Sequence, residues 1–173
     1  MTKACEFYNK ATNSKFDIIA EFLSLLHNER INYCVIGGVA INAYCEPLVT
    51  LDFDCVIAKD RIIDLKEKLK SKGFKIKTHP HTYEVTHLNS EVRIQIQRDN
   101  RYQEFIKGAT FCKVLDYRMR VAKKEDLLCG KLWASQDKTR NKLKKEKDML
   151  DIHRLTDKYA ELKKLMNKKF QSA

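Results

Sequence analysis

The chain has 173 residues, 43% of them hydrophobic and 33% charged, with only five glycines and two prolines. That is enough for one ordinary domain with a buried core, and it excludes collagen-like or linker-dominated architecture. No apolar run approaches the roughly 20 residues of a membrane span, and Met1 to Glu6 has no apolar signal-peptide core, so a soluble cytoplasmic protein is expected.

The net charge is +11 with a pI near 9.3. Such a domain either binds polyanions or carries a Lys-rich solvated surface, and composition leaves both open. Six cysteines contain no C-x-x-C pair, and Cys34 and Cys55 sit in apolar runs, which reads as reduced, buried thiols.

Ser14 and Asp17 resemble a capping box ahead of a helix carrying Phe16, Ile19, Phe22, Leu23 and Leu26. A short strand, Tyr33 to Ile36, stops at Gly37-Gly38, and a brief helix follows from Val39 to Tyr44. Leu51 to Ile57 alternates, with Leu51, Phe53, Cys55 and Ile57 on one face and Asp52, Asp54 and Val56 on the other. Asp60 is read as the cap of a helix carrying Ile62, Leu65 and Leu69 and ending at Gly73.

Three strand-like runs come next, at Phe74 to Thr78, Thr82 to Leu88 and Val92 to Gln97, with Asn89-Ser90 as a hairpin turn. Short strands at Gly108 to Val114 and Arg118 to Val121 complete the β-rich part. Leu127, Leu128, Leu132 and Trp133 mark one helix, and Ile152, Leu155, Tyr159, Leu162 and Met166 mark another. The order is helix, αβ core, hairpin and helical tail, so the expected fold class is α/β (α+β), with a core and N-terminal helix over residues 1–122 and a helical segment packed on it over 123–173.

The chemistry concentrates in Val35-Ile36-Gly37-Gly38 and Thr50-Leu51-Asp52-Phe53-Asp54. A strand ending in Gly-Gly before a helix lets a phosphate approach the backbone. Asp52 and Asp54, two apart on a strand, project from one face roughly 7 Å apart at Cα and suit a hard cation such as Mg2+ or Mn2+. Taken singly, Gly-Gly is an ordinary turn and Asp-x-Asp an ordinary exposed face; their succession is the rarer event.

These residues resemble the signature of the DNA polymerase β-type nucleotidyltransferase superfamily, with its small AbiEii-type toxin and minimal antibiotic nucleotidyltransferases as the nearest likeness. Glu125-Asp126-Leu127-Leu128, Lys131 to Ala134 and Lys147-Asp148-x-x-Asp151-Ile152 are similar to the helical segment that follows the sheet in that family, so the resemblance covers about residues 30–157. It implies a mixed sheet with flanking helices and transfer of a nucleoside monophosphate from a nucleoside triphosphate (NTP) to a hydroxyl of RNA, protein or a small molecule. It further implies that Gly37 and Gly38 cradle the triphosphate, Thr50 steadies the loop, and Asp52 and Asp54 hold metal. A toxin paired with an antitoxin protein is one expected role.

Leu48 stands where the family commonly has Arg. Gln95, in Val92-Arg93-Ile94-Gln95, stands where a third carboxylate is expected. An amide neither ligates Mg2+ with charge nor usefully takes a proton, so an enzyme and a catalytically impaired nucleotide- or RNA-binding module both remain. Glu84, on the neighbouring run, is the candidate replacement or an ordinary strand residue. Lys131 and Asp148, polar on otherwise apolar helix faces, are assigned to the nucleotide site, the alternative being that they snorkel outward. The His79-Pro80-His81 run and His87 read as solvated rather than metal-binding. Lys138 to Lys147, with one acid (Glu146) in ten residues, is either a solvated helix face or a track for an RNA or tRNA backbone.

Overall fold

The computed structural model describes residues 3–171. Seven strands form one mixed sheet: β1 (Tyr33–Val35), β2 (Asp52–Ile57), β3 (Lys75–Thr78), β4 (Thr82–His87), β5 (Ser90–Gln97), β6 (Thr110–Val114) and β7 (Tyr117–Val121). Their order is β3-β4-β5-β2-β1-β7-β6, parallel where β2 meets β5 and where β1 meets β7, antiparallel elsewhere. Around it lie α1 (Lys3–Ala11), α2 (Ile18–Asn28), α3 (Gly37–Ile41), α4 (Ile62–Ser71), α5 (Phe105–Gly108), α6 (Lys124–Gln136), α7 (Lys142–Lys158) and α8 (Ala160–Gln171). This is the mixed-sheet α/β architecture that the resemblance implies. Among the described residues no helix is long and apolar enough to cross a membrane.

One sheet face builds the core. Phe53 and Cys55 on β2 pair with Ile94 and Ile96 on β5, and all four are fully buried. Phe22 of α2 packs edge-on against Phe53, 6.2 Å between ring centres. The opposite face of β2 carries Asp52 and Asp54, and their register partners on β5 are Arg93 and Gln95. Val56, two residues further along that face, is buried, so the face is open only where β2 begins.

Several local expectations are corrected. A further helix, α1, precedes α2, and its polar sequence hid the inward residues Cys5, Tyr8 and Asn9. The cap of α2 is Asp17 rather than Ser14: its carboxylate accepts from the Ala20 N–H and from the Tyr117 hydroxyl. Ser14 instead shares a hydrogen bond with the Ser90 hydroxyl. Asp60 caps nothing; it lies in a 3-10 turn, Lys59–Arg61, and α4 starts without a side-chain cap. The α3 helix begins at Gly37, two residues earlier than expected. His87 pairs with Ser90, which makes Leu88-Asn89 the hairpin turn. Leu51 precedes β2 and is exposed rather than inward.

The final apolar stripe is two helices, not one. Tyr159 is extended (φ −124°, ψ 98°) and separates α7 from α8. The break turns its hydroxyl onto the Tyr44 carbonyl at 3.1 Å, tying this corner to the segment after α3. All six cysteines are free thiols, four of them buried.

Candidate active site

The end of β1 and the start of β2 make the floor. The Ile36 N–H donates to the Asp54 carbonyl, which brings Gly37 alongside Asp54. Gly37 has φ +68°, a conformation that favours glycine, and it opens α3. A Cβ at this position would lie 2.1 Å from Asp54 Oδ2. The carboxylate thus occupies the space that any other residue's side chain would take.

Thr50 holds the approach to β2. Its hydroxyl accepts from the Asp52 N–H at 3.2 Å, and its carbonyl accepts from the buried Tyr8 hydroxyl at 2.6 Å. A Cβ on Gly38 would sit in ordinary contact, 3.7 Å from the Thr50 methyl. The preceding loop is clipped by Asn42, whose side chain donates to the Leu48 carbonyl and accepts from the Leu48 N–H. Leu48 itself points outward, exposed.

The two acids differ in surroundings. Asp52 is half-exposed and pairs with Arg93 at 2.9 Å. Asp54 has its carboxyl pushed up to about 6, first by burial and then by the Asp52 charge, against the pull of Lys131 and Arg140. Two carboxylates on one face, one of them sheltered and repelled by the other, are oxygen donors of the kind a hard divalent cation takes. Among the described residues no group of three or more His, Cys, Asp or Glu is arranged to hold a metal alone.

Above Asp54 stand the C-terminal helices. Lys131 on α6 bridges Asp148 (3.0 Å) and Asp151 (2.8 Å) of α7. Burial opposes its charge, but Asp151, Asp148 and Asp54 more than offset that and raise its pKa above the ordinary lysine value. Arg140 pairs with Asp148, and Arg154 pairs with Asp151 while also donating to Asn42 Oδ1 and the Glu46 carbonyl. A chain of alternating charges therefore runs from the Asp54 side of α6 to the loop that feeds β2.

No protein-family model matches the chain, and no curated protein matches it in sequence. Solved structures do match in fold. One is the lincosamide antibiotic adenylyltransferase LnuA with lincomycin bound, at a TM-score of 0.60 and 17% identity, covering 85% of this chain and 99% of that one. Another is ANT(2'')-Ia in complex with adenylyl-2''-tobramycin, at 0.64 and 13%, covering 90% and 95%. A third is an antigenic nucleotidyltransferase-like protein from Paracoccidioides brasiliensis, at 0.56 and 18%, covering 90% and 86%.

This chain has the nucleotidyltransferase fold. Within that fold, Gly37, Gly38, Thr50, Asp52 and Asp54 meet at one place, and Lys131 bears on it electrostatically. Gln95 lies in register beside Asp54. Glu84 lies in register beside Gln95, one strand further out, and accepts a hydrogen bond from its amide at 3.1 Å. Asp148 is only 1% exposed and already engaged by Lys131 and Arg140, so its place is beneath the site and not on its surface.

Two of the further residues carry a sequence signal: Arg93, whose two-residue spacing from Gln95 puts both on the acid face, and Asp151, which falls in the helical segment similar to the family. Arg154 and Asn42 carry none, and Arg140 reads as part of a basic run. The others come together through tertiary packing of α6, α7 and the loop after α3.

Proposed function

We propose that this protein is a metal-dependent nucleotidyltransferase that moves a nucleoside monophosphate from an NTP to a hydroxyl acceptor. The observation that carries the reading is the Asp54 carboxylate seated against Gly37, with Asp52 two residues earlier on the same strand face. In this reading the Gly37-Gly38 backbone at the start of α3 receives the triphosphate. Lys131 and Arg140 supply positive charge beside Asp54, and Asp52 and Asp54 would hold Mg2+ or Mn2+. The cation, when bound, neutralises phosphate charge and polarises the α-phosphoryl group. Thr50 and Asn42 keep the loop entering β2 in place, so that the two acids need no rearrangement when nucleotide arrives.

The exposed side chains of Lys138, Lys142, Lys144 and Lys147 favour an RNA hydroxyl as the acceptor over a protein or small-molecule one. Gln95 supports a second reading, a binding module of the same fold without turnover, because it puts an amide next to Asp54.

Incubation with α-labelled NTPs, Mg2+ and total cellular RNA decides between them. The enzyme reading expects label on RNA that disappears in Asp54→Asn. Nucleotide binding without label transfer or pyrophosphate release would favour the module.

A further inference from the structure

Gln95 raises the question of which group takes the acceptor's proton. Three residues share one row across three adjacent strands: Asp54 on β2, Gln95 on β5 and Glu84 on β4. Paired residues in a sheet project from the same face, so all three belong to the acid face. A carboxylate can only accept hydrogen bonds, so the Gln95 amide must present its NH2 to Glu84, and it does so from Nε2 to Oε2 at 3.1 Å. That orientation leaves the Gln95 carbonyl oxygen on the other side of its amide, where it can accept from a hydroxyl.

The second Glu84 oxygen faces His79 Nε2 at 3.9 Å, and the backbone partner of Glu84 on β3 is Lys77. Its side chain is 19% exposed, sheltered yet reachable. The carboxylate therefore sits one hydrogen bond away from the position beside Asp54, on a side chain one methylene longer than aspartate.

We propose that Glu84 is the proton acceptor of the reaction, its carboxylate displaced by one strand and positioned by Gln95; this rests on the nucleotidyl-transfer reading. The acceptor hydroxyl gives its proton to Glu84 while its oxygen forms a bond to the α-phosphorus. The bond from the α-phosphorus to the bridging oxygen breaks, and pyrophosphate leaves. The proton then passes from Glu84 to water; His79 Nε2 lies 3.9 Å from the carboxylate. Gln95 is a positioning residue: its amide NH2 fixes Glu84, and its carbonyl oxygen orients the hydroxyl.

The test measures pyrophosphate release from an equimolar mixture of the four NTPs with Mg2+ and total cellular RNA, alongside NTP affinity by calorimetry. Glu84→Gln should lower release about 10²–10⁴-fold, the usual worth of general-base assistance, with affinity unchanged. Gln95→Asp placed in the Glu84→Gln background should restore at least about tenfold, because it returns a carboxylate to the row. Glu84→Gln releasing pyrophosphate at the wild-type rate overturns this assignment and leaves the transfer reading standing. Loss of affinity together with release in Glu84→Gln also overturns it, since the residue would then serve structure or binding. A wild-type protein that binds NTP but releases no pyrophosphate overturns transfer to RNA, the reading on which this assignment rests, and the assignment with it.

Discussion

The Asp54 carboxylate fills the space next to the Cα of Gly37, so the two positions are locked to each other across β1 and β2. A methyl group at residue 37 would meet Oδ2 at 2.1 Å and would also have to adopt φ +68°. Gly37→Ala is therefore expected to cost about 2 kcal/mol of stability and to push Asp54 aside. A displacement near 1 Å should reduce label transfer about 10²-fold. Gly38→Ala meets only the Thr50 methyl at 3.7 Å and should stay within about 1 kcal/mol of wild type. Thermal melts on both variants check the contrast; equal losses of stability would mean that the contact with Asp54 is not what requires glycine.

Asp54 also gives stability a pH dependence of definite sign. Its carboxyl rises from the ordinary 3.8 to about 6 in the folded protein, chiefly through burial. The folded state then binds this proton more tightly than the unfolded state, so its contribution to stability is lost as pH rises from about 4 through 6. Ionisation at pH 8 should cost roughly 2–3 kcal/mol in the absence of divalent cation. Asp54→Asn removes that cost. It should raise the melting temperature at pH 8 and have little effect at pH 4.5, although it abolishes transfer. A destabilised Asp54→Asn at pH 8 would show that Lys131 and Arg140 outweigh burial.

Asp148 provides the opposite case, a buried acid whose charge is fully engaged. It is 1% exposed and faces Lys131 and Arg140 at once. Asp148→Ala leaves the sheltered Lys131 with Asp151 alone and should cost about 3–5 kcal/mol, whereas Arg140→Ala, removing a half-exposed partner, should cost about 1 kcal/mol or less. Urea titrations at constant m-value measure both. A mild Asp148→Ala phenotype would mean that Asp151 and Arg154 hold Lys131 without it.

These particulars show what a single sequence can and cannot reveal. The alternation of Asp52, Phe53, Asp54 and Cys55 is a period-2 signal, and it placed the acids on one face and the apolar residues in the core as observed. Gly37 was readable as a backbone requirement, but not as a contact with Asp54, because that depends on the register of β1 against β2. The stripe from Ile152 to Met166 kept its spacing across the break at Tyr159, so periodicity alone could not find the two helices. α1 gives no helical apolar stripe in sequence, because its inward face is Cys5, Tyr8 and the polar Asn9. Lys131 and Asp148 were each out of place on an apolar face, and the resolution is that they meet each other. No local pattern pairs residues 17 positions apart on separate helices.

The lysine run separates a solvated helix from an RNA track. Lys138, Lys142, Lys144 and Lys147 are exposed, whereas Arg140 in their midst turns inward onto Asp148 and belongs to the charge network. Replacing the four exposed lysines by Gln should leave stability within about 0.5 kcal/mol, because none of them supports the core. If they contact RNA phosphates, each contributes about 0.7–0.9 to the slope of log affinity against log salt. The fourfold variant should then lose about 3 from that slope and bind RNA more weakly at low salt, with NTP affinity unchanged. Filter binding of total cellular RNA across a salt series measures the slope directly. An unaltered slope would assign the run to solvation and move the acceptor away from the α6–α7 corner.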